Sequence, residues 1–478
     1  MTVSGPARGP VPTRRDVVAG LGLGGLAVSA LASAAAAQTV PPAPSPADEG
    51  WRALEALPRR LRLLPEPAPE LDLWTFDGTL PGPTLRVRHG DEVRVRFANR
   101  TPAPLALHWH GVRNAGAMDG VGGLTQEPVA PGASFDYRFT PPDAGTFLVR
   151  PLVPGGSSEA AGRGLHALLV VEERDAPPFD REVTALIADW RLGEDGLAPF
   201  GTAPEAAAGG RLGNVVTVNG RPAPERVEAA PGTRLRLRLA NACNARVFSI
   251  RFDGLKPYVA AVDGQPTDTF EPLRSTLPFS PGNRYDLVVE VPDEPGARGQ
   301  VVGLVGAGLP LVEIVATAEP RRTGLPPIRA LTPNPALPPA IRLQDALRRD
   351  AVIQGGARPG PDGRLAYDGD PRRIWTVNGA PGSAKGPPLF TARRGQPVVL
   401  ALNNQTPFVQ PMHLHGHVFR LLHPFDDGWE PYWLDTLQVP ANRTVRVAFN
   451  ADNPGRWAVS SAVLERFDTG LWTWFEVA

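Results

Sequence analysis

Residues 93–99 read VRVRFAN, residues 235–241 read LRLRLAN, and residues 398–403 read VVLALN. The first two stretches alternate apolar and polar residues, which is the pattern of a half-buried strand. In those two copies a pair of glycines 12 residues apart precedes the strand, and Asn follows 21 residues after the first glycine. The third copy is longer by a few residues, as a loop insertion would make it. The glycine pairs are Gly78 and Gly90, Gly220 and Gly232, and Gly379 and Gly395. The chain therefore contains three copies of one domain-sized unit.

Each copy continues into a second unit of turn and strand, which begins at Pro131, Pro281 and Pro440. Many short strands separated by turn residues at this spacing are typical of β-sandwiches. We predict an all-β protein of three consecutive β-sandwich domains, over residues 50–175, 182–318 and 345–478. The Pro-rich stretch at 319–344 is predicted to be a linker along the surface. Residues 51–57 and 343–349 are weak helix candidates.

Composition restricts the classes of partner. The 478 residues include 49 Lys and Arg and 49 Asp and Glu, so the chain has no net charge, and we expect no nucleic-acid partner. Glycine (51) and proline (56) are abundant, which suits a turn-rich β protein. Cys243 is the one cysteine, so no internal disulfide can form, and we expect it to be a buried structural thiol.

The N-terminus has the pattern of a targeting segment. Residues 13–18 read TRRDVV, and a weakly apolar run rich in Gly and Ala follows to Ala37. We predict a twin-arginine signal peptide over residues 1–37, cleaved after Ala34 or Ala37, and hence a periplasmic protein. The alternative is a membrane anchor, because the run is long enough to span a bilayer. After removal of the signal we expect no transmembrane segment.

The histidines are confined to the first and third predicted domains. The sequence HWHG occupies residues 108–111, and HLHGH occupies residues 413–417. Alternate side chains of a strand share a face, so each cluster aims two imidazoles the same way. Any site made of several histidines must therefore form where the first domain meets the third. Imidazole suits copper and zinc. The remaining histidines, expected to be surface or satisfied polar residues, are His89, His166 and His423.

These motifs resemble those of the multicopper oxidase family. The resemblance covers residues 73–478 and includes PMHLHGH at 411–417, GTF at 145–147 and the turn DNPGRW at 452–457. It implies cupredoxin-like Greek-key sandwiches and a copper site between the first and third domains. By the same resemblance His108 and His413 correspond to ligands of a type 2 copper, and His110 and His415 to ligands of type 3 coppers. His417 belongs to the motif but is expected to form hydrogen bonds rather than to bind metal.

The chain departs from the family pattern at most of the other ligand positions. The family's second motif places His-x-His where this chain has Arg150 and Leu152. The histidine that opens the third motif is replaced by Gln410. The fourth motif, a His-Cys-His followed by a further His and often an axial Met, is replaced here by Ser460, Ser461, Ala462, Arg466 and Leu471. A blue-copper centre needs a Cys thiolate and two imidazoles, so this resemblance implies that the electron-accepting type 1 site is absent.

Two interpretations of the four retained histidines stay open. In the first, His108, His110, His413 and His415 hold at most one copper ion of the type 2 kind, with His108 and His413 as the strongest ligands. In the second, they form a metal-free cluster kept by packing. No catalytic residue is assigned from the sequence, and Arg150 has no partner that the sequence names.

Three functions follow from these interpretations. In the first, the chain is an exported binding or structural protein with a residual copper site that cannot carry out the four-electron reduction of dioxygen. In its metal-free form, this function is that of a structural protein of the cell envelope and division machinery, with a protein partner. Alternatively, it is a copper-dependent oxidoreductase that uses the residual site, for an unknown small-molecule substrate. Copper sequestration or delivery is the third possibility and requires that the metal exchange readily. Fold does not decide among them.

Overall fold

The computed structural model describes residues 50–360, 363–424 and 428–478. The predicted signal peptide at residues 1–37 lies outside the described residues. Almost every regular element is a β-strand, and the strands form sandwiches of paired sheets, so the prediction of an all-β protein built from β-sandwiches is confirmed. The longest described α-helix has six residues, and no helix in the described part of the chain is long and apolar enough to cross a membrane.

The first sandwich consists of eight strands and one short helix. One sheet has the order β2-β1-β4-β6 and the other the order β3-β8-β7-β5. Its elements are β1 (Arg52–Leu61), β2 (Leu71–Phe76), β3 (Leu85–Arg88), β4 (Val93–Asn99), β5 (Leu107–His110), β6 (Ser134–Phe139), β7 (Gly145–Pro151), α1 (Ser157–Gly162) and β8 (Ala167–Glu172).

The second sandwich follows directly and has the same plan with added edge strands. Its elements are β9 (Arg181–Trp190), α2 (Ala203–Ala207), β10 (Val215–Val218), β11 (Arg221–Pro222), β12 (Glu225–Ala229), β13 (Arg234–Asn241), β14 (Phe248–Asp253), β15 (Tyr258–Val262), β16 (Gln265–Phe270), β17 (Thr276–Phe279), β18 (Arg284–Glu290), β19 (Arg298–Gly303) and β20 (Leu309–Ala316). The sheets have the orders β11-β10-β9-β13-β18-β15-β16 and β12-β20-β19-β14-β17.

The third sandwich carries the second histidine cluster. Its elements are β21 (Leu347–Gly355), β22 (Arg358–Pro359), β23 (Leu365–Ala366), β24 (Trp375–Val377), β25 (Thr391–Ala392), β26 (Gln396–Asn404), β27 (Gln410–Leu414), β28 (Arg420–Leu421), β29 (Thr436–Val439), β30 (Thr444–Ala451), β31 (Gly455–Ser461), α3 (Leu464–Asp468) and β32 (Trp472–Val477). Its main sheets have the orders β24-β21-β26-β30-β28 and β25-β32-β31-β27-β29.

The sequence repeats correspond to one topological position in each sandwich. The strands β4, β13 and β26, which carry the three repeated stretches, each lie between a parallel and an antiparallel neighbour. The antiparallel neighbours are the predicted second units, in β6, β18 and β30. Val95, Leu237 and Leu400 from these strands are buried in their cores. In β4 the alternation reflects one face packed inward. The prediction of a half-buried strand is wrong for the second copy, because every residue of β13 is buried and the arginines of its other face pair with acids, as Arg236 and Arg238 do with Asp286.

The two helix candidates were wrong. Residues 52–61 form β1, which pairs with β2 and β4, and residues 347–355 form β21, with only a 3-10 turn at Leu343–Asp345 before it. Both segments are the parallel partners of a repeated strand. Long-range pairing in a sheet therefore overrides a weak local helix preference.

Short helices and one amide join the sandwiches beside the strands that carry the histidines. Asn244, after β13, donates to the backbone carbonyl of Ser158 in α1 at 2.7 Å and to the Glu465 carboxyl in α3 at 3.0 Å. Asp468 in α3 accepts the backbone N–H groups of Ser157 and Ser158. Burial raises the pKa of Glu465 to about 7, although the hydrogen bond from Asn244 acts in the opposite direction.

This raised pKa predicts a pH-dependent stability that Glu465→Gln removes. Between the ordinary carboxyl pKa and about 7 the folded chain binds more protons than the unfolded chain, so stability falls as the pH rises through that window. We expect the wild type to lose about 1–3 kcal/mol relative to Glu465→Gln between about pH 5 and pH 8. Denaturant unfolding at each pH measures the difference. Glu294→Gln, an exposed carboxyl on a turn, is the control, and parallel pH curves for wild type and Glu465→Gln would contradict the assignment.

Candidate metal centre

The two histidine clusters meet between the first and third sandwiches. His108 and His110 lie on β5, His413 lies on β27, and His415 follows that strand directly. All four side chains are buried, and the centroids of neighbouring imidazole rings are 3.7 to 5.4 Å apart. The structure thus brings together every residue for which the sequence predicts a role in metal binding.

His108 and His413 face each other with their Nε2 atoms. The Nδ1 of His108 lies 2.8 Å from the carbonyl oxygen of Asp119, and the Nδ1 of His413 lies 3.0 Å from that of Asp435. Because a carbonyl oxygen only accepts, both Nδ1 atoms carry a hydrogen, and the Nε2 atom of each ring offers a lone pair when that ring is neutral.

The separation of these lone pairs fits one metal ion. The two Nε2 atoms are 3.4 Å apart. Two imidazole nitrogens that each bind one ion at about 2.0–2.1 Å lie about 3.3–4.2 Å apart, from tetrahedral to linear geometry. No hydrogen bond can form between two lone pairs, so the neutral pair is left unsatisfied in a buried position. The donor set and its spacing therefore suit a copper or zinc ion shared by His108 and His413.

His110 differs from this pair because both of its nitrogens have partners. The Nδ1 atom lies 3.4 Å from the Arg150 guanidinium, which only donates, and the Nε2–H is therefore directed at the Thr436 hydroxyl at 2.9 Å. That hydroxyl in turn donates to Asp435 at 2.7 Å. Burial lowers the pKa of His110 well below its usual value, and the neighbouring His413, Arg150 and Arg284 act in the same direction.

His415 is likewise engaged on both sides. Its Nδ1–H donates to the Asp119 carboxylate at 3.0 Å, and its Nε2 accepts from the Ser460 hydroxyl at 2.9 Å. Burial lowers the pKa of His415 to about 3, so the ring is neutral. Nitrogen atoms of His108, His413 and His415 all lie within 4.8 Å of one another, so His415 is a third donor if Ser460 releases it.

Arg150 is a buried cation with weak partners. It stands directly opposite His108 in the pairing of β5 with β7. Its other contact is the carbonyl oxygen of Ala462 at 3.5 Å, and its Nε–H has no hydrogen-bond partner within the described residues. Burial lowers the pKa of Arg150 to about 10, and the charge of Arg284 adds to this shift, but the group stays protonated at neutral pH.

A second cluster contains Gln410, Ser461, Arg466 and Leu471, which the resemblance assigns to the type 1 site of the family. The Arg466 guanidinium donates to the Gln410 side chain and to the carbonyl oxygen of Val409, both at 2.7 Å. The backbone N–H of Ser461 donates to Leu471, and that of Leu471 donates to Arg466. Burial lowers the pKa of Arg466 to about 10. These side chains offer no thiolate and no imidazole, so the cluster has no donor set for a blue-copper centre.

Sequence reasoning missed the residues that orient the histidines. No role for Asp119, Asp435 or Thr436 was predicted from the sequence alone. Burial alone would raise the pKa of Asp435, but the Arg284 guanidinium and the hydrogen bond from His413 outweigh it and hold the pKa well below its usual range. Arg284 pairs with Asp435 through two hydrogen bonds, at 2.6 and 3.1 Å.

Close contacts with neighbouring side chains explain why the HWHG motif ends in a glycine. Gly111 has a φ of +92°, and a Cβ there would lie 2.1 Å from the Arg284 guanidinium and 2.6 Å from the Asp435 carboxylate. Gly282 approaches His110 in the same way, with a Cβ position 2.6 Å from the imidazole Nε2. Both glycines admit the close packing of the three sandwiches around the histidines.

The other histidines lie outside this cluster. His417 directs its Nδ1–H at the carbonyl oxygen of His415 at 3.1 Å and packs among Phe449, Trp457 and Phe475. His166 is buried beside Trp190, its Nδ1 lacks a partner within the described residues, and burial lowers its pKa to about 4. Cys243 is a buried thiol, and burial raises its pKa well above the usual value.

Comparison with known proteins identifies the family to which this architecture corresponds. Three sequence profiles described as multicopper oxidase match residues 62–176, 181–298 and 359–478. A solved multi-copper oxidase from Pseudomonas thermotolerans is 32% identical, with 90% of this chain and 99% of that chain covered and a TM-score of 0.78. This chain belongs to the multicopper oxidase family. Membership implies a copper cofactor.

Two further relatives agree with this assignment. Lac15 from a marine microbial metagenome is 31% identical over 89% of this chain and 99% of its own, with a TM-score of 0.70. The multicopper oxidase MmcO of Mycobacterium tuberculosis is 28% identical over 83% of this chain and 82% of its own. Around the four histidines, Arg150 contacts His110 and Ser460 contacts His415, whereas Arg466 belongs to the separate cluster with Gln410.

Removing Arg284 should damage both the fold and the centre. In Arg284→Met the buried Asp435 carboxylate loses two hydrogen bonds and its charge partner, and we expect a loss of about 3–5 kcal/mol in unfolding free energy. Copper affinity should also fall by about 10–100-fold, because Asp435 and Thr436 orient the imidazoles. Denaturant unfolding and a copper titration measure the two effects. Arg251→Met breaks an exposed ion pair with Asp253 and is the control. An unchanged unfolding midpoint for Arg284→Met would refute this role.

Proposed function

We propose that this chain is an exported copper-binding member of the multicopper oxidase family that holds one copper ion between His108 and His413. The observation that carries the proposal is the pair of Nε2 lone pairs facing each other at 3.4 Å in a buried site. Copper is preferred to zinc because family membership implies it. Copper bound there supplies a one-electron couple.

The surroundings favour a single ion. A second ligand group, formed by His110, His413 and Asp435, has its ligand atoms within 4.8 Å of one another, but it shares His413 with the first group. An ion there would also bind the ring that the Arg150 guanidinium already contacts, and cations repel each other strongly in a buried site. A further ion on the other side would need His415, whose Nε2 accepts from Ser460. We therefore infer that a dicopper pair able to bind dioxygen does not assemble in this chain.

The proposal also excludes laccase-type oxygen reduction, for reasons of donor chemistry. At the positions of the type 1 site the Arg466 guanidinium is bonded to Gln410, and Ser461 takes the place of the thiolate. Without that centre and without the dicopper pair, the chain lacks a relay from a reductant and storage for four electrons. This supports copper binding, sequestration or delivery over oxidase activity.

Export remains part of the proposal. It rests on the paired arginines at 14 and 15 and the Ala-rich run that follows them. A folded domain that carries its metal before crossing a membrane suits the twin-arginine route, which we take as the path to the periplasm. Fractionation of cells that express the wild type and Arg14→Lys/Arg15→Lys tests this, and equal periplasmic amounts of both would oppose it.

Metal analysis of the purified protein after copper loading and removal of excess metal tests the function. We expect about one copper per chain and no intense absorption band at about 600 nm. Phenols or diamines should cause no steady oxygen uptake. His108→Ala and His413→Ala should each weaken copper binding by more than about 100-fold, beyond the effect of an outer-shell change. His423→Ala, a part-exposed histidine that does not belong to the four-histidine cluster, is the matched control.

Each possible result bears on the proposal. Three or four coppers per chain, a strong blue band or sustained oxygen uptake would overturn it in favour of a working oxidase. Absence of bound copper in the wild type, with correct folding shown by circular dichroism, would overturn it in favour of a metal-free structural protein. Equal copper affinity in His413→Ala would mean that the ion binds elsewhere.

A further inference from the structure

A cavity of about 700 Å³ lies between the second and third sandwiches, outside the histidine cluster. Its inner wall is formed by buried apolar side chains, among them Leu277 and Leu437, together with Thr436 and Asn283. The rings of Phe270 from β16 and of Tyr432 before β29 stack on each other, 15° apart with centroids separated by 5.6 Å, and this aromatic pair lines the cavity. A volume of this size is typical of sites for small organic ligands.

The charged side chains that line this cavity are all acidic. Asp268, Glu271 and Glu430 stand along it, and no Lys, Arg or His is among the described residues that line it. Glu271 pairs with Lys256 at 2.9 Å, and both side chains of that pair are more than half exposed to solvent, so the pair exchanges readily. His423 is 3.9 Å from Glu430, and Asp268 has Arg420 as an electrostatic neighbour. These cations flank the opening, but none enters the cavity.

The turn at the opening holds an apolar side chain in solvent. Leu273 is 84% exposed, and the two residues after it, Arg274 and Ser275, have φ values of +53° and +54°. Left-handed backbone in two consecutive residues other than glycine is unfavourable and persists only where the surroundings impose it. A large exposed leucine beside an apolar cavity is the type of contact that a bound ligand covers.

We propose that this cavity binds a small organic cation with an apolar, aromatic body. The stacked pair of Phe270 and Tyr432 supplies aromatic surface against which a ligand ring can pack, and aromatic rings attract positive charge. The carboxylates at the rim favour a cation and disfavour an anion of the same shape. The inference goes beyond copper binding and does not depend on it, although Thr436 lies in both the cavity wall and the hydrogen bond to His110.

Calorimetric titration of the metal-free protein with benzyltrimethylammonium tests the proposal. Benzyl alcohol and benzoate are the neutral and anionic comparison ligands, and all three carry the same ring. We expect saturable binding of the cation below about 10 mM, with the two comparison ligands weaker by at least about tenfold. Copper analysis of the same preparation is separate, so failure of this proposal and failure of the copper site are told apart.

Variants locate the site. Tyr432→Ala removes one ring of the stacked aromatic pair, and Asp268→Asn removes one of the carboxylates. Thr276→Trp places a large side chain in the cavity from β17. We expect Thr276→Trp to abolish binding and the other two to weaken it by about tenfold. Glu294→Gln, an exposed acid outside the cavity, is the control. Unfolding curves identify any variant that does not fold.

The results are decisive in each direction. Preference for the cation together with loss of binding in Thr276→Trp supports the proposal. Absence of saturable binding by the wild type overturns it. Equal affinity for the cation and for benzoate overturns the predicted ligand class, and unchanged binding in both Thr276→Trp and Tyr432→Ala overturns the location.

Discussion

The hydrogen bonds of one buried guanidinium hold the three sandwiches around the candidate metal centre. Arg284, on β18 of the second sandwich, donates to the carbonyl oxygen of Thr146 in the first at 3.0 Å and to Asp435 in the third at 2.6 and 3.1 Å. The carbonyl oxygen of Asp435 then fixes the Nδ1–H of His413. The middle sandwich contains no histidine, yet it determines where the histidines of its neighbours meet. A carboxylate this deeply buried is tolerable only while its cation remains beside it.

Two other buried arginines lie at positions where the family resemblance implies copper ligands. Arg150 contacts the Nδ1 of His110, and Arg466 donates to Gln410 and to backbone carbonyls. In our interpretation each guanidinium supplies the positive charge that a copper ion provides in the family. A guanidinium satisfies acceptor atoms, as a metal satisfies lone pairs, but it has no redox chemistry. On this interpretation, the guanidinium groups would preserve the fold without the copper ions.

Much of the fold followed from the sequence, because strand alternation and turn residues are local signals. The repeats that contain Val95, Leu237 and Leu400 predicted equivalent strands, and the confinement of histidines to two domains predicted where they would meet. The segment after Trp51 was misassigned because its strand pairing depends on β4, some forty residues away. Asp119 and Arg284 could not be assigned roles, since their partners belong to other strands or domains and only the tertiary structure brings them together.

The arrangement of the four imidazoles favours our interpretation of a retained metal site over that of a cluster kept by packing. A cluster kept only by packing would be expected to satisfy all its nitrogens, as His110 and His415 do through Thr436, Arg150, Asp119 and Ser460. His108 and His413 instead have their hydrogens fixed by backbone carbonyls on the far side, which leaves two lone pairs opposed in a buried position. That opposition is unfavourable without a cation between the rings. The surrounding hydrogen bonds enforce it, and local conflicts of this kind in an otherwise consistent fold are characteristic of functional sites.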